Sequence, residues 1–315
     1  MRAAVVTAFG DVGVLAVVER DPPAPGPGDV VVRIEACALN WSDLLQRAGH
    51  YVGGPTPPFV VGQEAAGIVI GHGPGVAAPP IGTPVSVIAP SGLCAELAVV
   101  PAAACFALPG SAEQRAALPI ALLTAYTALA VGGHARAGEL AVIHAAGGGL
   151  GTIALQIARR LELRVIATCA PAKRERVAAL GAAQVCGYDE FAAATRAAGG
   201  ADLVLDSVGG AVFRNSCAVL RSPGRIVIVG CTSGEPQRID AVKLVHRSIA
   251  VVGWHLRAVV ANPALVAATL AACTPWLDAG ALRAHIACTL PLADVRAAHA
   301  LLASRQTYGK VVLVP

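Results

Sequence analysis

One stretch of seven residues restricts this chain more than any other. Ala-Ala-Gly-Gly-Gly-Leu-Gly (145–151) lies between the continuous apolar run LAVIHAA (140–146) and the helical stretch TIALQIARRL (152–161). An unbroken apolar run is what a strand buried on both faces requires. A glycine cluster between such a strand and a helix is the setting of a dinucleotide-binding turn. In the G-x-G-x-x-G template the positions fall on Ala146, Gly148 and Gly151, so alanine stands at the first. Gly148 lets the backbone approach a pyrophosphate, and Gly151 lets the helix pack closely on its strand. The helix N-terminus at Gly149 and Leu150 offers amides and partial positive charge to phosphate. The glycines alone would serve equally as a structural turn. The residues downstream favour the nucleotide: strands at RVIATC (164–169), ADLVLDSVGG (201–210), GRIVIVG (224–230) and IAVVGWHL (249–256), with helices at AKRERVAALGA (172–182) and AVFRNSCAVL (211–220). This alternation predicts a parallel sheet with right-handed crossovers.

The first third has another texture. VVRIEACAL (31–39) and EAAGIVIG (64–71) read as strands, separated by PPAPGPGD (22–29) and GPGVAAPPIG (73–82). Short strands between Pro/Gly turns suggest a barrel-like or sandwich β domain. The tail is mixed, with helices near 263–273 and 293–304 and a closing strand GKVVLVP (309–315). A length of 315 residues suits two domains.

Composition narrows the function. With 55% hydrophobic and 14% charged residues the chain is not disordered. Its net charge of +4 is scattered, which gives no nucleic-acid surface. A mean hydropathy of +0.63 raises the question of a membrane. The longest uncharged run, Ala116–Gly133, holds Pro119, Thr124, Tyr126 and Thr127 and lacks basic flanks. It is expected to be a buried helix of a cytoplasmic protein rather than a span. The nine cysteines form no C-x-x-C and lie mostly in apolar runs, as reduced core thiols do. No G-x-S-x-G or phosphate-binding G-x-x-x-x-G-K-[ST] occurs.

Cofactor choice follows from the end of the second strand of the alternating region. Readers of NAD place an acidic residue there, about 20 residues past the glycines, to hold the ribose hydroxyls. Here the positions read Thr168-Cys169-Ala170-Pro171-Ala172-Lys173-Arg174, with no acid before Glu175. A cation and hydroxyls there would hold a 2′-phosphate that a carboxylate would repel, which predicts NADP(H).

These residues carry a resemblance. The chain resembles the zinc-independent quinone oxidoreductases (zeta-crystallin-like) of the medium-chain dehydrogenase/reductase superfamily over essentially its whole length. The likeness rests on LNWSDLLQRAGHY (39–51), VGQEAAGIV (61–69), LTAYTAL (123–129), the A-A-x-G-G-x-G loop, DSVGG (206–210) and GKVVLVP (309–315). It implies an α/β fold in which a Rossmann doubly wound parallel sheet (119–259) is inserted in a GroES-like β-barrel catalytic domain (1–118 and 260–315). It also implies that Lys173 and Tyr188, together with Arg305, contact the 2′-phosphate. Thr124 would sit near the nicotinamide, with backbone around Gly230 and Trp254 walling its other side. By analogy, a homodimer would form through the outer strand IAVVGW.

The resemblance has one main departure. The superfamily's zinc enzymes bind their metal through a Cys, the His of a His-Glu pair and a second Cys. By motif alignment these positions hold Asn40, Gln63 and Ile120. No thiolate or imidazole stands there for zinc. Substrate must then be held by orientation and hydrogen-bond donors. The motifs offer Asn40 and Tyr51 as catalytic candidates, with Gln63 behind them. Trp41, Phe59 and Trp254 could line a pocket or be core. His50 and His255 could be relays or simply packed. Asp43 and Glu64 are expected to organise the domain interface. The expected substrate is a small-molecule quinone, an enone or an enoyl thioester. A noncatalytic NADPH-binding role is the alternative of another class. Elemental analysis is expected to find no stoichiometric zinc, and chelators are expected to leave turnover unchanged. Stoichiometric zinc with chelator-sensitive turnover would contradict this reading of Asn40, Gln63 and Ile120.

Overall fold

The computed structural model describes residues 1–315, which divide into two units: Met1–Ile120 with Arg283–Pro315, and Ala121–Leu282. The strands, in chain order, are β1 (Arg2–Val6), β2 (Leu15–Glu19), β3 (Asp29–Ala38), β4 (Phe59–Val60), β5 (Glu64–His72), β6 (Pro84–Ile88), β7 (Leu97–Pro101) and β8 (Cys105–Phe106), then β9 (Leu140–Ile143), β10 (Arg164–Thr168), β11 (Gln184–Cys186), β12 (Ala201–Asp206), β13 (Leu220–Ile228) and β14 (Ile249–Gly253), and last β15 (Ile286–Pro291) and β16 (Lys310–Val314).

The first unit is β-rich. A three-stranded sheet runs β2-β1-β4, and a seven-stranded sheet runs β15-β16-β3-β5-β6-β8, with β7 also pairing β3. Along β3 the alternate residues Val30, Val32 and Ile34 are buried, as expected of a strand with one face on a core. They join Val69, Val85, Val87, Val100 and Leu313 in a single apolar cluster. The late strand β16 lies between β15 and β3, pairing Val312 with Ala38 and Leu313 with Cys37.

The second unit is a six-stranded sheet in the order β11-β10-β9-β12-β13-β14, parallel throughout. This is the doubly wound order, and its reversal falls between β9 and β12, where such sheets bind ligands at the strands' carboxyl ends. All four residues of β9 and all six of β12 are buried, which accounts for the unbroken apolar sequence of β9 and for the apolar centre Leu203–Leu205 of β12, flanked by the buried Asp202 and Asp206. At the other side of the sheet β14 forms an edge.

Three features differ from the expected ones. The return to the first unit begins at Arg283, not at residue 260. The helix Pro263–Asp278 belongs to the second unit: Cys273 is buried there, the Trp276 ring lies 6.2 Å from that of Tyr126, and Arg160 donates to the Ala281 carbonyl just beyond. The outgoing boundary falls after Ile120 rather than after residue 118. The run 116–133 is also not one helix. Helices Ala112–Ala117 and Pro119–Tyr126 are followed by a π-helical segment, Thr127–Gly132. Proline opens a helix readily because its missing N–H would have no partner there. No helix is long and apolar enough to cross a membrane.

Two buried histidines and one buried aspartate couple the fold to pH. His144 and His299 are 2% and 0% exposed, and burial pushes each down to about 3. In His299 the Arg47 guanidinium, 3.4 Å from Nδ1, adds to the effect. Burial instead pushes Asp43 up to about 7. Below the ordinary histidine value of about 6.5 the unfolded chain gains two imidazole protons that the folded chain refuses. Between about pH 7 and 4 the folded chain holds one carboxyl proton that the unfolded chain lacks. From pH 6 to 4 these three groups leave the unfolded state with about one proton more; Asp206, raised by burial, works against this, and Glu96 and Glu190, held low by hydrogen bonds from the Arg2 and Gly187 amides, work with it. The unfolding free energy is expected to fall by about 1 kcal/mol per pH unit over that range. Urea midpoints measured between pH 6 and 4 test this, and a midpoint that holds or rises would refute it.

Candidate active site

The site is built outward from the turn after β9. Ala145 takes a left-handed φ of 51°, and its carbonyl accepts from the Gly148 amide at 2.9 Å. The helix Gly149–Arg160 begins at once, with Gly148 as an extended cap that offers no side chain. A Cβ on Gly151 would lie 2.3 Å from the Ala145 oxygen and 2.5 Å from Ala146 Cα, so only a hydrogen fits. The first amides of such a helix have no intrahelical acceptor. With no side-chain cap, those at Gly149 and Leu150 suit an anion.

Two side chains flank this turn. A Cβ on Gly147 would meet Lys173 Cδ at 2.7 Å, so the lysine stem lies directly across the glycine. Partial burial holds the Lys173 ammonium below its ordinary value, with Cys169 opposing the effect. The Tyr188 ring, 38% exposed, stacks on His144 with centroids 6.3 Å apart. The neighbouring Arg174 is paired with Glu190 at 2.7 Å. The hydroxyl expectation at the end of β10 is corrected: Thr168 is buried, and its Oγ1 is 2.9 Å from His144 Nδ1, so it faces the interior and not a phosphate.

Further along the same strand ends, Thr124 is buried in the helix Pro119–Tyr126. One turn on, the Thr127 hydroxyl donates to the Leu123 carbonyl at 2.5 Å and accepts from Trp254 Nε1 at 2.9 Å. A Cβ on Gly132 would lie 2.7 Å from the Trp254 ring. The Trp254 amide donates to Ile228 O, which ties it to the end of β13, two residues before Gly230. Gly230 in turn accepts from Gln237 Nε2 at 3.2 Å. The second unit thus sets Gly230 and Trp254 at the exits of β13 and β14, with Trp254 bonded to Thr127, three residues after Thr124. Thr127 and Gly132, which make that arrangement, carried no sequence signal of their own. The DSVGG motif forms the neighbouring turn, where Asp206 accepts from the amides of Val208 and Gly209 at 2.7 and 3.1 Å.

In the β-rich unit two of the three positions aligned above with zinc ligands, Asn40 and Ile120, meet at one buried carboxylate. Glu64, fully buried, accepts from Asn40 Nδ2 at 3.0 Å and from the Ile120 amide at 2.8 Å. Gln63 accepts from the Ser42 hydroxyl. The Lys310 ammonium, 4% exposed, lies 2.5 Å from Glu64 and 2.7 Å from Asn40 Oδ1. Asp43 caps the helix Trp41–Ala48 by accepting the Asn40 amide at 2.7 Å. Nowhere do three or more His, Cys, Asp or Glu side chains gather as a metal site would require. The Asn40 side chain is thus engaged at both ends, a role its motif did not reveal. Lys310 was legible only as part of GKVVLVP.

The other candidates are dispersed. Tyr51 is half-buried in a turn closed by the Gly54 amide on its carbonyl. Arg305 has a left-handed φ of 60° and lies 5.0 Å from the Trp41 ring centre, a cation–π contact. Phe59 is buried in the apolar core. His50 is exposed. His255 Nδ1 caps a short helix by accepting the Arg257 amide, which occupies it structurally.

Comparison with known proteins agrees with this geometry. Residues 26–145 match the model of the alcohol dehydrogenase GroES-like domain, and residues 180–313 match that of the zinc-binding dehydrogenases. The human synaptic vesicle membrane protein VAT-1 homolog is 31% identical over all of this chain and 86% of its own length. The 2-haloacrylate reductase of a Burkholderia species is 32% identical over 93% of this chain and 92% of its own. The quinone oxidoreductase of Thermus thermophilus, solved alone and with NADPH, superposes over both whole chains at 36% identity with a TM-score of 0.88. The glycine turn, the doubly wound sheet, the GroES-like unit and these likenesses together place the chain in the zinc-independent quinone oxidoreductase branch of the medium-chain dehydrogenase/reductase superfamily.

Proposed function

We propose that the protein is an NADPH-dependent reductase that delivers hydride to a quinone or to the activated C=C of an α,β-unsaturated carbonyl. The observation that carries this reading is the pairing of Lys173 with the glycine turn. A cation is laid across Gly147 at the place where an NAD reader needs a carboxylate, and Thr168–Ala172 contain no acid. The solved Thermus relative with NADPH supports it. When bound, the cofactor supplies the hydride. The chain's part is to hold and to orient. The amides of Gly149 and Leu150 take pyrophosphate charge, while Lys173 and Tyr188, with Arg305, take the 2′-phosphate. Thr124, Gly230 and Trp254 border the nicotinamide.

Two residues of the β-rich unit are assigned to the substrate. Asn40 gives one amide hydrogen to Glu64 and keeps a second for a substrate oxygen. The Lys310 ammonium on its carbonyl polarises the amide and strengthens that donor. Tyr51 is assigned proton donation. A homodimer joined at the exposed edge β14 belongs to the same proposal. Reduction of an enoyl thioester is the rival chemistry. A noncatalytic NADPH-binding role would be excluded by hydride transfer to any enone.

Lys173→Ala is expected to weaken NADPH binding by about one to two decades, because a charge-assisted hydrogen bond contributes about 1.5–3 kcal/mol. NADH binding should stay nearly unchanged. Equal losses for both cofactors, or a wild-type preference for NADH, would refute the assignment.

Tyr51→Phe separates the two chemistries. A reduced quinone is an oxygen acid that water protonates, so its turnover should fall less than about tenfold. An enolate from a thioester must be protonated at carbon, and the same change should then cost about a hundredfold or more. The kcat on the best quinone and the best thioester, with folding and NADPH affinity checked in parallel, decides. A wild-type enzyme that ignores every quinone but turns over a thioester would reverse the ranking.

A further inference from the structure

We infer that His144 is a positioning residue for recognition of the 2′-phosphate: it is the platform that sets the ring of Tyr188. The inference rests on the assignment of Lys173 and Tyr188 above and extends it to a residue beneath the surface. His144 follows the last residue of β9, three positions before Gly147. One short segment therefore supports both flanking side chains: Gly147 lies under the Lys173 stem, and His144 lies under the Tyr188 ring.

The imidazole is fixed in place by its hydrogen bonds. Its Nε2 is 2.7 Å from Ser216 Oγ, and its Nδ1 is 2.9 Å from Thr168 Oγ1. The Ser216 hydroxyl gives its only proton to the Val212 carbonyl, at 2.8 Å. Ser216 must then accept from Nε2, so that nitrogen carries the ring proton. Nδ1 is left as an acceptor, and Thr168 donates to it. The result is one directed chain from Thr168 through His144 and Ser216 to Val212, joining β10, β9 and the helix Gly210–Val219. Both ring nitrogens are satisfied by the neutral imidazole, and burial keeps it neutral far below the working pH range. The Phe191 ring meets it edge-on at 4.8 Å and closes a further side.

Tyr188 needs such a support. It follows Gly187, two residues past the end of β11, and its ring is partly exposed. Stacking on His144 restricts the ring before a ligand arrives, so less side-chain freedom is lost on binding. An offset aromatic pair of this kind contributes about threefold to tenfold in affinity. That contribution should appear only for ligands bearing a 2′-phosphate.

The test is calorimetric titration of the intact protein with 2′,5′-ADP and with 5′-AMP, which differ by that phosphate. His144→Ala is expected to lower the ratio of the two affinities by about threefold to tenfold. His144→Gln, which keeps a hydrogen bond but no ring, should do the same. His144→Phe combined with Thr168→Val keeps a ring and removes the stranded hydroxyl, and should hold the ratio within about twofold of wild type. In a Tyr188→Ala background, His144→Ala should change the ratio no further. Equal losses for both ligands, an unchanged ratio, or full additivity with Tyr188→Ala would overturn the inference. Lys173→Ala in the same series separates the failures. If it lowers the ratio while His144→Ala does not, only the platform is refuted. If neither changes the ratio, or wild type does not distinguish the ligands, the 2′-phosphate assignment falls and the platform with it. Melting temperatures verify folding. Should His144→Ala not fold, the Gln and Phe/Val variants carry the same comparison.

Discussion

A buried ammonium pressed against a buried carboxylate governs the β-rich unit. Lys310 and Glu64 have almost no contact with water, and their separation in sequence is 246 residues. Removing either partner would leave an uncompensated charge in the interior, at a cost of about 3–5 kcal/mol. The pair therefore ties β16 to β5 across the intervening strand β3. It also fixes what hangs from Glu64: the amide of Asn40 and the backbone of Ile120. The lysine and the carboxylate thus hold Asn40 and Ile120 in place, while Gln63 is held separately by the Ser42 hydroxyl. Asp43, buried beside them, supplies a carboxyl group that can take up a proton near neutrality, which limits the net negative charge enclosed there.

The nucleotide end of the second unit is controlled by exclusion of atoms. Gly151 brings a helix onto the preceding turn at a distance no side chain tolerates, and Gly147 lets a lysine stem cross the turn. These contacts bring the Lys173 stem against the turn from which the helix Gly149–Arg160 starts. Arg174 is neutralised by Glu190, so Lys173 is the cation that the turn itself presents.

Much of this was legible in the sequence because close approach leaves a compositional trace. The glycine turn, the buried strands β9 and β12 and the absence of an acid at 168–172 could all be read from the residues alone. So could the loss of zinc ligands at Asn40, Gln63 and Ile120. What escaped reading depends on pairings between distant residues. Thr168 looked like a phosphate ligand, but the imidazole that takes its hydroxyl lies 24 residues earlier, and the serine on the other side of that ring lies 72 residues later. Lys310 entered the sequence reading only as part of the closing strand GKVVLVP. The helix Pro263–Asp278 was legible as a helix but not by owner, since apolar side chains such as Cys273 and Leu277 would pack on either unit.

The position of β16 has a consequence for synthesis. It lies inside its sheet, between β15 and β3, and carries the lysine that neutralises Glu64. Residues 121–282 can complete their own sheet as soon as they leave the ribosome, since domains generally fold as units during translation. The segment made first cannot. Its β3 lacks one neighbour, and Glu64 lacks its counter-charge, until residue 314 has been made. The unit begun first is therefore the unit finished last, and through most of translation the nascent chain carries an open strand edge.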